Sequence, residues 1–256
     1  MIHPTAVIAS GARLGKGVSV GAYSIIGPDV HIGDDTTISA HVVIEGPTRI
    51  GSKDRIYPFN SIGAAPQDKK YAGEDTELVI GNGNTIREFC TFNRGTTQDT
   101  GATRLGDNNW IMAYVHLAHD CQVGNDTIFA NNAQLAGHVH VGDHAILGGF
   151  TVVHQFVHIG MHSLTAMGTI LLQDLPPYVT AAGNTARAFG INSEGLRRRG
   201  FSTEAVGRIK AAYKTLYKSG LSLEEAKARL SESVDGAPEL HPLLEFLTAS
   251  TRGIVR

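Results

Sequence analysis

The chain has 256 residues, 42% of them hydrophobic and 18% charged, with a formal net charge of −2. That supports one large domain, or one domain with a small appendage, around a substantial core. It provides no global positive field to draw in nucleic acid. The two cysteines, Cys90 and Cys121, form no CxxC pair and no ligand-like spacing, which points to a reducing compartment. The opening MIHPTAVIAS lacks the basic and long apolar regions of a signal peptide. No apolar run approaches the roughly 18 residues of a membrane span, so a cytoplasmic, soluble protein is expected.

From Ile2 onward every sixth residue is aliphatic: Ile8, Leu14, Val20, Ile26, Ile32, Ile38, Ile44, Ile50, Ile56 and Ile62. The following residue is often Gly, and the fourth residue on is usually small or β-branched, as at Ala12, Val18, Ser24 and Val30. The phase returns at Ile80, Ile86 and Phe92, slips by one at Leu105, then holds from Ile111 to Ile159. Such a period matches no helical stripe. Strand side chains alternate faces, so the aliphatic residue and the small one four places on both point inward. One hexad cannot bury its apolar face, but stacked coils share a continuous core. Three hexads, about 18 residues, complete one lap of a triangular prism. The expected fold is mainly β, a hexapeptide-repeat parallel β-helix over residues 1–191. Two polar segments, 64–79 and 98–104, break the phase and read as loops leaving the prism, where binding groups commonly sit.

The hexads fade after Leu171, and Pro176–Pro177 is expected to end the solenoid. Residues 192–256 then read as a small helical domain. Val206, Ile209, Tyr213, Leu216 and Tyr217 share a helical face ending near Gly220. Ser222 and Glu225 form a capping-box pattern, and Pro238 opens a further helix. This unit is expected to cover the open end of the prism, whose strand edges are otherwise unpaired.

Twelve histidines are present. The pairs His140/His158 and His144/His162 are one lap apart and read as surface ladders. His119, His138 and His154 are separated by nearly one lap each, which should gather them on one edge with neighbouring coils about 4.8 Å apart. His116 lies three residues before His119. Spacing alone leaves general-base catalysis, metal binding and a structural ladder open.

HLAHDCQVGN (116–125), NNAQLAGHVHVGD and VVHQF resemble the core of the UDP-N-acetylglucosamine 3-O-acyltransferases, the first enzymes of lipid A biosynthesis. QDKKYAGE (67–74), NRGT (93–96), PPYVTAAGN and NSEGLRRRGFS are similar to that family too, and the likeness runs nearly end to end. The resemblance implies a left-handed coil and a homotrimer with active sites in the clefts between adjacent prisms. It implies transfer of a 3-hydroxyacyl group from acyl carrier protein to the 3-hydroxyl of UDP-N-acetylglucosamine, with no metal and no bound cofactor.

The same resemblance implies His119 as general base and the Gly137 N–H as oxyanion donor; Asp120, next in the chain, is expected to orient the imidazole if the two sit at a corner. It implies that Gln67 and Asp68 hold the sugar and the acyl 3-hydroxyl. Lys70, Arg198 and Arg199 are matched to the diphosphate, and Asn192 and Glu194 to the nucleotide. His138, His154 and Gln155 are placed near the sugar, with His116 lining the cleft. Asn93 stands where the family often has His and is left out of the catalytic set. Met167 stands where long-chain members have Gly. A methionine there should fill the end of the acyl pocket, with each excluded methylene altering binding by about 0.8 kcal/mol, so a chain of roughly ten carbons is expected to be preferred over fourteen. The alternatives are a UDP-3-O-acylglucosamine N-acyltransferase, a trimeric zinc carbonic anhydrase-like hydratase and a non-catalytic scaffold.

Overall fold

The computed structural model describes residues 1–256. Short parallel strands, mostly of two residues, stack into three walls of nine, eight and ten strands. Wall one starts at Val7–Ile8, wall two at Arg13–Leu14 and wall three at Ser19–Val20, and successive strands pass to successive walls. Val7 pairs with Ile25 and His116 with Gln134, so one lap takes 18 residues. The hexad aliphatics fill the interior: Ile26, Ile44, Ile62, Phe92, Leu117 and Leu135 are fully buried. The small residues between them, such as Ser24, Thr36, Ala133 and Ala145, are buried as well.

The corners repeat a left-handed residue in lap after lap. On the edge between walls three and one this residue is Tyr23, His41, Phe59, Phe89 and Tyr114, whose rings stack at 4.9–5.3 Å. A left-handed non-glycine residue costs about 1 kcal/mol or more; stacking of each ring on the next offsets part of that cost.

The two loops lie where the repeat breaks, with different limits from those the pattern suggested. Strands Ser61–Ala64 and Glu77–Ile80 leave 65–76 as the first loop; strands Thr91–Asn93 and Ala102–Leu105 leave 94–101 as the second. Polar composition hid the strand character of Glu77 and of Ala102–Arg104, which pair across wall two. The diproline does not end the solenoid. Val179–Ala182, beyond it, still pairs in parallel with Leu164–Thr165, then turns back as a hairpin with Arg187–Ile191.

Four helices follow: α1 (Ser193–Arg198), α2 (Thr203–Lys218), α3 (Leu223–Ser231) and α4 (His241–Ala249). Gly220 takes φ 75° just past the end of α2, and Ser222 with Glu225 forms the reciprocal capping box of α3. Pro238 begins a 3-10 turn that leads into α4. The Tyr213 hydroxyl of α2 donates to the Ala188 carbonyl of the hairpin at 3.3 Å, and Tyr213 joins the prism core. The helical unit therefore packs on the last lap. No helix is long and apolar enough to cross a membrane.

Candidate active site

The edge between walls one and two carries the chemistry. Eighteen-residue laps give His119, Gly137 and Gln155 one corner position, and Asp120, His138 and Phe156 the next; the last three take φ 61°, 62° and 64°. On a flat strand His119 and Asp120 would face opposite ways. The corner turns them together, with His119 Nδ1 2.9 Å from Asp120 Oδ2. Asp120 is fully buried. It also accepts the Thr96 N–H at 2.8 Å and the Thr96 hydroxyl at 2.6 Å, while its own N–H donates to Thr103 Oγ1 at 2.8 Å. Burial pulls the Asp120 pKa upward, but the bonds from His119 and Thr96 outweigh it and hold the carboxyl below its ordinary range. An ionised acceptor fixes the proton on His119 Nδ1 and leaves Nε2 as the free basic nitrogen.

His138 lies edge-on to His119, with centroids 5.0 Å apart at 88°, and stacks on Phe156 at 4.3 Å and 7°. Its Nδ1 is 3.0 Å from Asp99 Oδ2. A groove of about 550 Å³ opens here, walled by Gln67, Asp68, Lys69 and Lys70 from the first loop, Gln98 from the second, and His119, His138, Gln155 and Phe156 from the edge. The loops are tied to each other: Gln98 Nε2 donates to Asp68 Oδ2 at 2.8 Å and Lys70 Nζ to Gln98 Oε1 at 3.4 Å. The Lys70 N–H and the Gln98 amide hold Asp68 below the usual carboxylate range. The Gly137 N–H meets no acceptor within the chain.

The sequence profile described as Udp N-acetylglucosamine O-acyltransferase, Domain 2, matches residues 174–255, and the bacterial transferase hexapeptide profile matches 11–46 and 102–137. An acyl-[acyl-carrier-protein]–UDP-N-acetylglucosamine O-acyltransferase from Herminiimonas arsenicoxydans is 59% identical over all of this chain and 99% of its own length. One of the same name from Albidiferax ferrireducens is 60% identical over the same shares. The solved UDP-N-acetylglucosamine O-acyltransferase (LpxA) from Moraxella catarrhalis superposes with a TM-score of 0.98 at 45% identity, covering 100% of this chain and 99% of that one. The chain belongs to the UDP-N-acetylglucosamine O-acyltransferase family. Its prism is therefore a left-handed parallel β-helix with a small C-terminal helical part.

Other residues matched to the acyltransferases fall elsewhere. His154 shares the edge but not the cluster. It sits one corner position before Gln155, aligned with Ala118 and Ala136, and its exposed ring meets the Gln155 carbonyl at 3.1 Å and Arg252 Nη2 at 3.3 Å. The gathering of three rings expected from approximate spacing is thus a pair, and Phe156, 18 residues past His138, holds the third place. His116 lies on wall one with Nδ1 2.7 Å from Thr91 Oγ1; burial pushes its pKa down. Asn93 is buried and donates to the Ala64 and Ala65 carbonyls, anchoring the base of the first loop.

Apart from Lys70, which lines the groove, the residues matched to the nucleotide and diphosphate stand by a different edge, between walls two and three. Asn192 caps α1 through the Gly195 N–H at 3.1 Å and donates to the His162 carbonyl at 3.1 Å. Glu194 and Arg198 pair at 3.0 Å on the surface, and Arg199 follows on the same turn. Met167, 78% exposed, sits on the edge between walls three and one and does not pack in the core. Thr96, Thr103, Asp99, Gln98, Phe156 and Lys69 were not singled out by the sequence. Phe156 was accessible by counting 18 from His138; the loop residues carry no periodic signal.

Proposed function

We propose that this chain transfers a 3-hydroxyacyl group from acyl carrier protein to the 3-hydroxyl of UDP-N-acetylglucosamine, starting lipid A biosynthesis. The observation that carries the reading is His119, with Nδ1 committed to buried Asp120, standing in the groove beside Gly137, whose N–H is unpaired. The names of its close full-length relatives support it.

In this reading His119 Nε2 takes the proton of the sugar 3-hydroxyl as that oxygen attacks the thioester carbonyl carbon. An unassisted hydroxyl is a poor nucleophile at neutral pH. The carbonyl oxygen becomes an oxyanion and accepts the Gly137 N–H. Collapse breaks the carbon–sulfur bond, and the phosphopantetheine thiolate leaves with the proton from the His119 imidazolium. Asp120 stabilises that imidazolium. Gln67 and Asp68 hold the sugar and the acyl 3-hydroxyl; His138 and Gln155 contact the sugar, with His154 and His116 at the margins of the cleft.

One ligand atom each from His119, Asp120 and His138 lie within 4.8 Å of one another. We read this group as hydrogen-bonded, because both Nδ1 atoms already face carboxylates and Asp120 takes two further bonds from Thr96. No metal or cofactor enters the proposed steps.

The phosphate-binding bases Arg198 and Arg199 and the nucleotide contacts Asn192 and Glu194 stand across wall two from His119, whereas Lys70 stands beside it. A homotrimer that brings one copy's second edge to another copy's first unites the two sets, and we assign the complete site to that cleft. Along the outer face of wall one, from His119 towards Met167, Val152 is 43% exposed; we place the acyl chain there, with Met167 at its end.

A transfer assay tests this. Wild type acylates UDP-N-acetylglucosamine from 3-hydroxyacyl carrier protein, and H119A loses about 10²–10⁴-fold in rate while keeping its thermal midpoint. Mixing H119A and R198A chains before assembly restores activity that neither has alone. Transfer by H119A at the wild-type rate would remove the base assignment.

A further inference from the structure

We infer that Asp99, on the second loop, is a positioning residue that fixes the tautomer and orientation of His138 for the proposed acyl transfer; the inference rests on that reading of the site. Asp99 Oδ2 lies 3.0 Å from His138 Nδ1, joining loop 94–101 to the edge across 39 residues of chain.

Three observations argue that this contact is needed. First, the other carboxylate near the ring cannot substitute for it. Asp120 Oδ2 is 3.8 Å from His138 Nδ1, and the Asp120 carboxylate already takes bonds from His119 and, twice, from Thr96. Second, the His138 side chain is only 9% exposed, so an Nδ1–H without a protein partner would lack ready water. Third, stacking on Phe156 and the edge contact with His119 set the plane of the ring but not which face of the edge each nitrogen takes. A hydrogen bond at Nδ1 settles that: it places the proton on Nδ1 and reserves Nε2 for a ligand.

Asp99 has a further neighbour with the same consequence. Gln98, beside it, ties Asp68 and Lys70 of the first loop. One dipeptide therefore sets the groove wall through Gln98 and the imidazole through Asp99. The site then holds two imidazoles each oriented by its own carboxylate, His119 by Asp120 and His138 by Asp99. The first is proposed to move a proton and the second to hold the acceptor.

The test uses full-length protein in its assembled state. D99A is expected to lower transfer by about tenfold or more, as loss of a charge-assisted bond to a buried group implies. D99E, which keeps a carboxylate, recovers part of the loss. In an H138A background D99A has no additional effect. Ring-nitrogen NMR of His138 in wild type shows the proton on Nδ1, and D99A moves it or leaves the two tautomers mixed. The NMR arm needs no turnover, so it separates failure of this inference from failure of the proposed function. Asp99 lies on an outward loop with a third of its side chain exposed, so D99A is expected to fold with an unchanged thermal midpoint. A wild-type His138 with its proton on Nε2 would overturn the assignment, as would D99A transferring at the wild-type rate. Losses from D99A and H138A that multiply would overturn it too.

Discussion

Gly137 lies directly against the imidazole of His119: a methyl group on its Cα would stand 2.5 Å from Cε1 and 2.7 Å from Nε2. Real carbon atoms do not approach that closely, so any side chain at residue 137 moves the ring or the edge beneath it. Gly137 is not in a left-handed conformation, so the need for glycine here is space next to the base, not backbone freedom.

G137A should therefore fold and fail. The displaced imidazole loses its alignment with the sugar hydroxyl, and a misplacement near 1 Å costs about 10² in rate. Steady-state transfer assays alongside thermal melting check this. Normal turnover by G137A would mean that His119 has room to spare and that its position is not critical.

Much of this edge was legible in the sequence, because one rule governs it. A side chain's wall follows from its place in the lap, which puts His119 and His138 on one edge by spacing alone, while Gly137 is marked only through the resemblance to the acyltransferases. Approximate counting placed His154 in the same cluster, and a single corner position proved enough to turn its ring away. Asp99 and Thr96 were illegible for a different reason. They sit on a loop that obeys no period, and their partners are fixed only by where that loop folds back. The limits of both loops were also misjudged, since Glu77 and Arg104 are polar residues on the outer faces of genuine strands.

Chain-length preference should respond to Met167. Wild type is expected to transfer a 3-hydroxydecanoyl group faster than a 3-hydroxymyristoyl group. M167G should raise the longer donor relative to the shorter by at least about tenfold, the scale on which a few methylenes of apolar contact, at about 0.8 kcal/mol each, alter binding. Competition between the two carrier-protein donors measures the ratio directly. An unchanged ratio in M167G would place the end of the acyl pocket elsewhere.

Acid should weaken the edge between walls two and three. His162 is buried between His144 and Tyr178, and burial, aided by the nearby His144 and Arg199 charges, lowers its pKa to about 4. The unfolded chain thus binds the proton more readily than the folded one. The stabilising contribution is complete above the ordinary imidazole value and declines as pH falls from about 6.5 towards 4, by up to about 3 kcal/mol. H162F removes both the titration and the buried, unpartnered Nδ1. Phenylalanine is accepted at such corners, as at Phe59 and Phe156. Thermal midpoints between pH 4.5 and 7.5 should fall with acid in wild type and much less in H162F; parallel curves would locate the acid-sensitive group elsewhere.

Chelation should leave turnover intact. Because the Nδ1 atoms of His119 and His138 and the carboxylate of Asp120 are engaged with one another and with Thr96 and Asp99, exhaustive dialysis against EDTA is expected not to change the rate. Added zinc, by contrast, is expected to inhibit by competing for the base. A transfer rate that falls on dialysis and returns with zinc would put a metal into the reaction, and zinc-dependent hydration of carbon dioxide would favour the hydratase-like alternative instead.

The lap of fixed length also governs which changes of length the protein can tolerate. Ser61 still finds Thr91, and Thr91 still finds His116, although 30 and 25 residues separate them instead of 18. Extra chain is thrown outward and the next rung lands in register. Removing one residue between His119 and Leu135 has no such outlet: every later rung would shift by one place, moving Leu135 and Val141 to the outward places of Gln134 and His140, and His140 into the buried place of Val139. Insertions and deletions during divergence should consequently accumulate at the two excursions and be purged from the rungs.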